Sequence, residues 1–289
     1  MCRLFGAISS SNVDASYLMK EAPRSLLYQS RVDRKRLQAD GWGIGWFENG
    51  RPRIVKSPKP IYRDRALLRR GVKRAKGRVL VGHVRWASNP LKLPKHRLIG
   101  HAHAQPFSFG RWLFAHNGTL FIPKEVREAL GPLGRHIKGN NDSEVLFYWL
   151  MKHGVHRSAS NIRRAIDGLD AIWKKCRKKY PLYKYPYHGL NWVLTDGKVL
   201  IAMCYVNAGG FGKAKALCRR EEPYYQLHYR RDSNGWIVAS EPLDEAPGWK
   251  SLRHGQILIA KLNPRRIVDI LTLHGSHRTP LRRRQNPSR

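Results

Sequence analysis

The residue with the clearest chemical potential in this sequence is the cysteine at position 2. Removal of Met1 would give Cys2 both a thiol and a free α-amine. The thiol can attack a carbonyl carbon, while the amine, with a reference pKa of about 8, can accept and return its proton. N-terminal threonine nucleophiles use the same arrangement. Position alone favours an incidental small residue, so the hypothesis of a nucleophile depends on the rest of the chain.

Arg85 stands where an apolar segment turns polar. Residues 79–88 begin with Val-Leu-Val-Gly and end with His-Val-Arg-Trp-Ala-Ser. This pattern is typical of a buried strand that displays polar groups at its end. An arginine at such a place suits planar, two-pronged capture of a carboxylate. A solvated surface charge is the ordinary alternative for one arginine in a basic chain.

Asn117 and Gly118 lie near the end of another predicted strand, residues 112–120. An Asn-Gly pair usually forms a tight turn. The amide NH₂ and the glycine N–H can also point two donors at one place, as an oxyanion hole requires. Asp142 precedes an apolar segment at 145–150, which predicts the start of a helix. A carboxylate there is most often a cap, but it can also bind an ammonium group.

Metal and cofactor chemistry finds little support in the sequence. The four cysteines are Cys2, Cys176, Cys204 and Cys218. They form no Cys-x-x-Cys pair and no Cys/His cluster with zinc spacing. His101 and His103 are two residues apart, but no third ligand is evident, so hydrogen-bonding loop histidines are favoured over a metal site. We expect neither a metal nor a cofactor.

Secondary-structure patterns supply the elements that would position these residues. Strands are predicted at 4–9, 42–47, 52–55, 79–88, 112–120, 190–195, 199–202, 235–240 and 256–260. Helices are predicted at 17–28 with an interruption at Pro23, and at 67–75, 142–150 and 160–179. Asp196-Gly197 between two apolar strands predicts a hairpin. With no internal repeat or clean linker visible, we predict one domain over residues 1–275 and a basic, disordered tail at 276–289.

Composition limits the class of protein. The chain has 289 residues and a formal net charge of +35, which attracts polyanions. The basic residues are spread along the whole chain and match no nucleic-acid-binding signature, so we expect only weak, salt-sensitive, non-specific nucleic-acid association. No apolar run is long enough for a membrane span, and the N-terminus does not resemble a secretory signal. A reduced cytoplasmic location is the simplest expectation.

Five segments together resemble the class II glutamine amidotransferases, which are N-terminal-nucleophile hydrolases. The segments are Cys-Arg-Leu-Phe-Gly at 2–6, Asp-Gly-Trp-Gly-Ile at 40–44, His-Val-Arg-Trp-Ala at 83–87, His-Asn-Gly at 116–118 and Asp-Ser-Glu at 142–144. They occur in the family's order. The chain is most similar to the stand-alone branch, which has no attached synthase domain, and the resemblance covers residues 2–262.

The resemblance implies an α+β fold, a four-layer αββα sandwich of two antiparallel sheets. It implies that Cys2 is the nucleophile and that Asn117 and Gly118 form the oxyanion hole. Arg85 would bind the α-carboxylate of glutamine, Asp142 its α-ammonium group, and Trp86 would line the pocket. One departure stands out, because the family's Asn-x-His-Pro-Phe is here His103-Ala-Gln105-Pro-Phe. This places the local hydrogen bonding in question.

Three functions remain open at this stage. The first is cleavage of the γ-amide of glutamine through a cysteine thioester, which releases glutamate and ammonia and could supply a separate ammonia-acceptor synthase subunit. The second is hydrolysis of another γ-glutamyl amide or peptide at the same site. The third is a non-catalytic, polyanion(RNA)-binding protein that keeps the enzyme fold but has lost the activity. The presence of all the site residues argues against this third function.

Overall fold

A computed structural model of the chain describes residues 2–207, 214–262 and 269–273. Its strands, in chain order, are β1 (Arg3–Ser9), β2 (Trp42–Glu48), β3 (Arg51–Ser57), β4 (Val79–Val84), β5 (Phe107–Phe109), β6 (Trp112–Leu120), β7 (Tyr187–Thr195), β8 (Val199–Cys204), β9 (Leu227–Arg231), β10 (Gly235–Ala239), β11 (Lys250–Leu252), β12 (Gln256–Lys261) and β13 (Asp269–Thr272). Its α-helices are α1 (Leu26–Gln29), α2 (Arg65–Arg74), α3 (Pro123–Leu130), α4 (Asp142–Lys152) and α5 (Ala159–Cys176). Short π-helical and 3₁₀ turns connect several of them.

The strands form two antiparallel sheets. The first has the order β11-β9-β10-β1-β4-β2-β3, and the second has the order β13-β12-β8-β7-β6-β5. Strand β1 lies inside the first sheet, where Phe5 pairs with Ala239 of β10 and with Gly82 of β4. Because β1 is flanked on both edges and covered on both faces, residues 3–8 of this strand are buried.

The two sheets pack face to face. Leu4 and Ile8 of the first sheet share one apolar core with Leu113, Val193 and Leu258 of the second. Leu4 and Ile8 are four residues apart on one strand, so they point to the same face, as the two-residue period of a strand requires.

Helices cover the outer face of each sheet. Leu26 of α1 and Leu68 of α2 pack with Phe5 on the first sheet. Helices α3, α4 and α5 cover the second sheet, where Phe147 of α4 stacks on Phe114 of β6 with ring centroids 5.0 Å apart. The layers are therefore helix, sheet, sheet and helix, which confirms the predicted αββα sandwich. Among the described residues, no helix has both the length and the apolar character that a membrane crossing needs.

Most predicted elements are present, with informative differences. Asn117-Gly118 does not form a turn, because β6 continues to Leu120 and pairs with β7. The predicted loop at 101–107 contains a 3₁₀ turn at His101–His103 and leads into β5. Helix α3 and the strands β9, β11 and β13 had no prediction. The predicted tail at 276–289 lies outside the described residues.

A buried ion pair fixes the beginning of β1. Nη2 of Arg3 lies 3.0 Å from Oε1 of Glu241, and both side chains are fully buried. Nη1 of Arg3 donates to the carbonyl of Tyr224 at 3.1 Å, and the guanidinium lies 3.6 Å from the centre of the Tyr224 ring. Glu241 also accepts hydrogen bonds from the backbone N–H groups of residues 217–219.

These contacts set the charge of Glu241. Burial alone would raise the pKa of its carboxyl group. The Arg3 guanidinium and the three backbone N–H groups outweigh burial and hold that pKa below its ordinary value. The lowered pKa favours the charged form of Glu241, which pairs with the buried Arg3 guanidinium.

We expect Glu241→Ala to destabilise the fold by about 3–5 kcal/mol, because it leaves the Arg3 guanidinium buried and unpaired. The matched control is Asp167→Ala, which removes an exposed helical partner of Arg163 and should change stability by less than about 0.5 kcal/mol. Urea unfolding of both variants measures the difference. Equal, small losses in the two variants would show that the buried pair is not a structural requirement.

Candidate active site

Cys2 lies immediately before β1, beside the residues that follow β4. The antiparallel pairing of Arg3 with Val84 places the beginning of one strand against the end of the other. The Cys2 side chain is buried, and its Sγ donates to the carbonyl of Trp86 at 3.6 Å. Burial raises the pKa of the thiol, and nearby Arg85 acts in the opposite direction. A thiol in this setting needs a base to accept its proton when it attacks.

Arg85 is buried and is not a solvated surface charge. Its Nη1 donates to the carbonyl of Leu98 at 2.8 Å and, more weakly, to that of Asp40 at 3.4 Å. The carboxylate of Asp40 accepts from the N–H of Ala87 at 2.8 Å, which fixes the chain just after Arg85. Main-chain oxygens therefore hold the guanidinium. Within the described part of the chain, Arg85 forms no ion pair with a carboxylate.

Asn117 has an unusual environment. It sits in β6, paired with Asn191 of β7, and is almost fully buried. Neither its side-chain nitrogen nor its side-chain oxygen has a hydrogen-bond partner among the described residues. Buried amides are nearly always hydrogen-bonded, so an unpartnered one indicates a place where a ligand can bind.

Gly118 is required by a close approach of two strands. A Cβ atom at this position would lie 2.0 Å from the carbonyl oxygen of Gly189 on β7 and 2.6 Å from Nε2 of His116. No side chain fits in that space. The pairing irregularity between Gly118 and Leu120 ends the regular ladder at the same place.

His116 holds this part of β6 against its neighbours. Its Nδ1 lies 2.9 Å from Oγ of Ser143, and its Nε2 lies 3.2 Å from the carbonyl of Gly189. Burial lowers the pKa of His116 to about 4, so the ring is neutral at pH 7. The carbonyl of His116 also lies 3.3 Å from Nε2 of His83, which connects β6 to β4 in the other sheet.

The departure at residues 103–105 has a structural explanation. The side chain of Gln105 accepts from the N–H of His116 at 2.7 Å and donates to its carbonyl at 3.3 Å. Nε2 of His103 accepts from the N–H of Asn140 at 3.0 Å, and the His103 carbonyl accepts from Nδ2 of Asn141 at 2.7 Å. Both residues thus support the strand and the helix that carry the site, which confirms a hydrogen-bonding role for His103.

Asp142 links two parts of the site. Its Oδ1 accepts from Oγ of Ser88 at 2.9 Å, and its Oδ2 accepts from the N–H of Leu120 at 2.8 Å. Burial raises the pKa of Asp142, while these donors and Arg85 lower it. Asp142 is the first residue of α4, and the cap is its neighbour Asn141, whose side chain accepts from the N–H of Ser143 at 2.9 Å.

The structure thus brings the predicted residues together at one end of the sandwich. Arg85 and Asp142 are both close enough to Cys2 to affect the pKa of its thiol. Ser88 and the N–H of Leu120 connect Asp142 to the segments that carry Arg85 and Asn117. Among the described residues, no group of three or more His, Cys, Asp or Glu side chains is arranged to hold a metal ion.

A cavity of about 360 Å³ opens beside Trp86, and we call it the aromatic cavity. Its lining residues are Arg36, Trp86, Ala87, Ser88, Asn89, Pro90, Thr119, Phe121, Tyr183, Ala214 and Tyr224. Of these, only Trp86 was predicted as a site residue. Ser88 directly follows the Arg-Trp-Ala segment, so the motif could have indicated it. Tyr183 and Tyr224 come from distant segments, and no motif in the sequence indicates them.

The sequence matches the family model described as class-II glutamine amidotransferases over residues 1–269. The chain belongs to this family. The chain is 27% identical over 254 residues to a protein of Mycobacterium tuberculosis named gamma-glutamyl-hercynylcysteine sulfoxide hydrolase, with 86% of this chain and 88% of the relative covered.

Two solved structures with similar folds support the assignment of the fold. A glutamine aminotransferase class-II domain protein from Silicibacter pomeroyi has a TM-score of 0.63 at 19% identity. The match covers 95% of this chain and 100% of that chain. Glutamine phosphoribosylpyrophosphate amidotransferase from B. subtilis has a TM-score of 0.60 at 16% identity, with 94% of this chain and 49% of that chain covered. The αββα sandwich is therefore the N-terminal-nucleophile hydrolase fold. Membership of the class II glutamine amidotransferase family makes the protein an enzyme with that fold.

We expect Gly118→Ala to destabilise the protein by about 3 kcal/mol or more, because the new Cβ must push the two strands apart. Gly77→Ala is the control, since the nearest atom to a Cβ there is 3.7 Å away, and it should change stability by less than about 1 kcal/mol. Thermal and urea unfolding report the effect. A Gly118→Ala variant as stable as Gly77→Ala would contradict the close approach of β6 and β7.

Proposed function

We propose that this enzyme hydrolyses the γ-amide bond of glutamine or of a related γ-glutamyl compound through a thioester on Cys2. The observation that carries the proposal is the buried, unpartnered amide of Asn117 on the strand that also binds Asp142, at the end of the sandwich where Cys2 lies. A nucleophile, a free donor and a pair of opposite charges are what attack on an amino-acid amide requires.

The reaction depends on removal of Met1. The free α-amine of Cys2 then accepts the thiol proton while Sγ attacks the γ-carbonyl carbon. Nδ2 of Asn117 and the N–H of Gly118 donate to the resulting oxyanion. The α-ammonium returns the proton to the leaving nitrogen, the C–N bond breaks, and ammonia or an amine departs. Water then attacks the thioester with the same amine as base, which releases glutamate and restores the thiol.

Charge complementarity places the amino-acid end of the substrate. Arg85, which main-chain oxygens hold, binds the α-carboxylate, and Asp142 binds the α-ammonium group. Trp86 is 36% exposed and lines the adjoining cavity. Separating the two charges fixes the direction of the substrate, so that its γ-carbonyl group reaches Cys2.

A γ-glutamyl amide larger than glutamine is the second candidate substrate, and the aromatic cavity favours it. The similar mycobacterial protein is named as a hydrolase of a γ-glutamyl compound. Ammonia release to a separate synthase subunit remains the proposal for glutamine itself. The two substrates share every step at Cys2 and differ only in the leaving nitrogen compound.

Substitutions test the proposed chemistry. Cys2→Ala should abolish glutamate release from glutamine and from γ-glutamyl amides, while Cys176→Ala should retain it. Asn117→Ala should lower kcat by about 10²–10³-fold with little change in KM, because one oxyanion donor is lost. Since the amide of Asn117 has no partner among the described residues, its removal should change stability by less than about 1 kcal/mol.

Glutamate release by purified protein and parallel unfolding curves check both expectations. If Cys2→Ala releases glutamate as fast as the native enzyme, the thioester mechanism is wrong. If Asn117→Ala retains native kcat, the oxyanion hole lies elsewhere.

A further inference from the structure

The aromatic cavity lies next to the proposed reaction centre but is separate from the groups that hold the glutamyl end. Trp86 and Ser88 both line the cavity. The carbonyl of Trp86 accepts a hydrogen bond from the Cys2 thiol, and Oγ of Ser88 donates one to Asp142. Arg85 and Asp142 are not among its lining side chains. The cavity therefore adjoins the Cys2 thiol through Trp86, and Phe121 and Tyr183 form another part of its wall.

The cavity is far larger than ammonia needs. A cavity that holds one molecule the size of water, which is close to the size of ammonia, requires about 10–15 Å³. The cavity has about 360 Å³, which lies within the range of about 300–1,000 Å³ for small-molecule sites. A site that only released ammonia would not require this space.

Aromatic rings form much of the cavity wall. The ring of Phe121 stacks on Tyr183 with centroids 4.0 Å apart and an angle of 4° between planes. Trp86 and Tyr224 contribute two further rings. Rings that pack on each other form flat apolar surfaces, which favour a flat apolar group on the ligand.

The single charged side chain that lines the cavity, among the described residues, is Arg36. Nε of Arg36 donates to Oδ2 of Asp33 at 2.7 Å, and Nη1 donates to the carbonyl of Lys215 at 2.5 Å. Its Cζ lies 5.7 Å from the centre of the Tyr224 ring. These contacts orient the guanidinium. Its Nη2 makes no hydrogen bond to the other described residues, so this nitrogen can donate to an anion.

We propose that the aromatic cavity is the leaving-group site for an amino acid with a flat side chain, so that the substrate is a γ-glutamyl dipeptide. This inference rests on the proposed function. The rings of the cavity bind the side chain of the second amino acid, and Arg36 binds its carboxylate. The bond that breaks joins the γ-carbonyl carbon to the α-nitrogen of this amino acid, and the Cys2 α-ammonium supplies the proton that the nitrogen takes.

Four substrates separate the two features of the cavity. γ-Glutamyl-phenylalanine has ring and carboxylate, γ-glutamyl-phenethylamide has the ring alone, γ-glutamyl-alanine has the carboxylate alone, and glutamine has neither. We expect kcat/KM for γ-glutamyl-phenylalanine to exceed that for each single-feature substrate by about tenfold or more, as a charge-assisted hydrogen bond or a buried ring provides. Glutamine should be the poorest of the four.

Arg36→Gln then assigns the carboxylate preference. This variant should lower kcat/KM by about tenfold for the two carboxylate-bearing dipeptides, and by less than twofold, roughly the limit of measurement, for γ-glutamyl-phenethylamide and glutamine. Arg70→Gln, an exposed arginine on α2, is the control and should leave all four unchanged. A merely structural role of Arg36 would lower all four rates equally and would overturn the assignment.

The results distinguish this proposal from the function on which it rests. Cleavage of all four substrates that depends on Cys2, with glutamine or the carboxylate-free amide as the best substrate, would overturn the leaving-group site and leave the thioester mechanism intact. Cleavage of none, or cleavage that survives Cys2→Ala, would overturn the proposed function itself. The substrate series on the native enzyme decides the question even if Arg36→Gln does not fold.

Discussion

The buried ion pair between Arg3 and Glu241 connects the parts of the molecule on which the proposed activity depends. Arg3 follows the candidate nucleophile directly, and its guanidinium also contacts Tyr224, a wall of the aromatic cavity. Glu241 accepts hydrogen bonds from the backbone of residues 217–219, which precede Tyr224 in the chain. Burying a charged side chain is costly unless it is paired with an opposite charge, as Arg3 is with Glu241. This requirement ties the start of β1 to one position relative to the cavity.

The sandwich brings distant segments together because of its strand order. Pairing of β1 with β4 places Cys2 beside Trp86, and His83 joins β4 to the carbonyl of His116 in the opposite sheet. The groups that give the site its shape have satisfied hydrogen bonds, as His116 and Gln105 show. Asn117 differs, since its amide has no partner among the described residues. A buried donor held in place by hydrogen-bonded neighbours is typical of a preorganised site.

Short-range patterns predicted much of the fold, and long-range contacts account for what they missed. The Asp-Gly hairpin of β7 and β8 and the helix after Asn141 follow from local turn and cap chemistry. The sequence left open whether Asn117-Gly118 forms a turn, and it does not, because the close approach of Gly189 on β7 requires a glycine at position 118 within the strand pair. Ser88 follows a recognised motif, but Arg36 and Tyr183 reach the aromatic cavity only through tertiary structure.

We propose that the mature enzyme begins at Cys2 and forms a γ-glutamyl thioester there. Mass spectrometry of protein quenched in acid during turnover, followed by peptide mapping, tests it most directly. We expect an N-terminal peptide that starts at Cys2 and carries the added mass of one γ-glutamyl group on sulfur. A fully active protein whose N-terminal peptide retains Met1, or an adduct on another residue, would contradict it, because an amide nitrogen at Cys2 cannot accept the thiol proton.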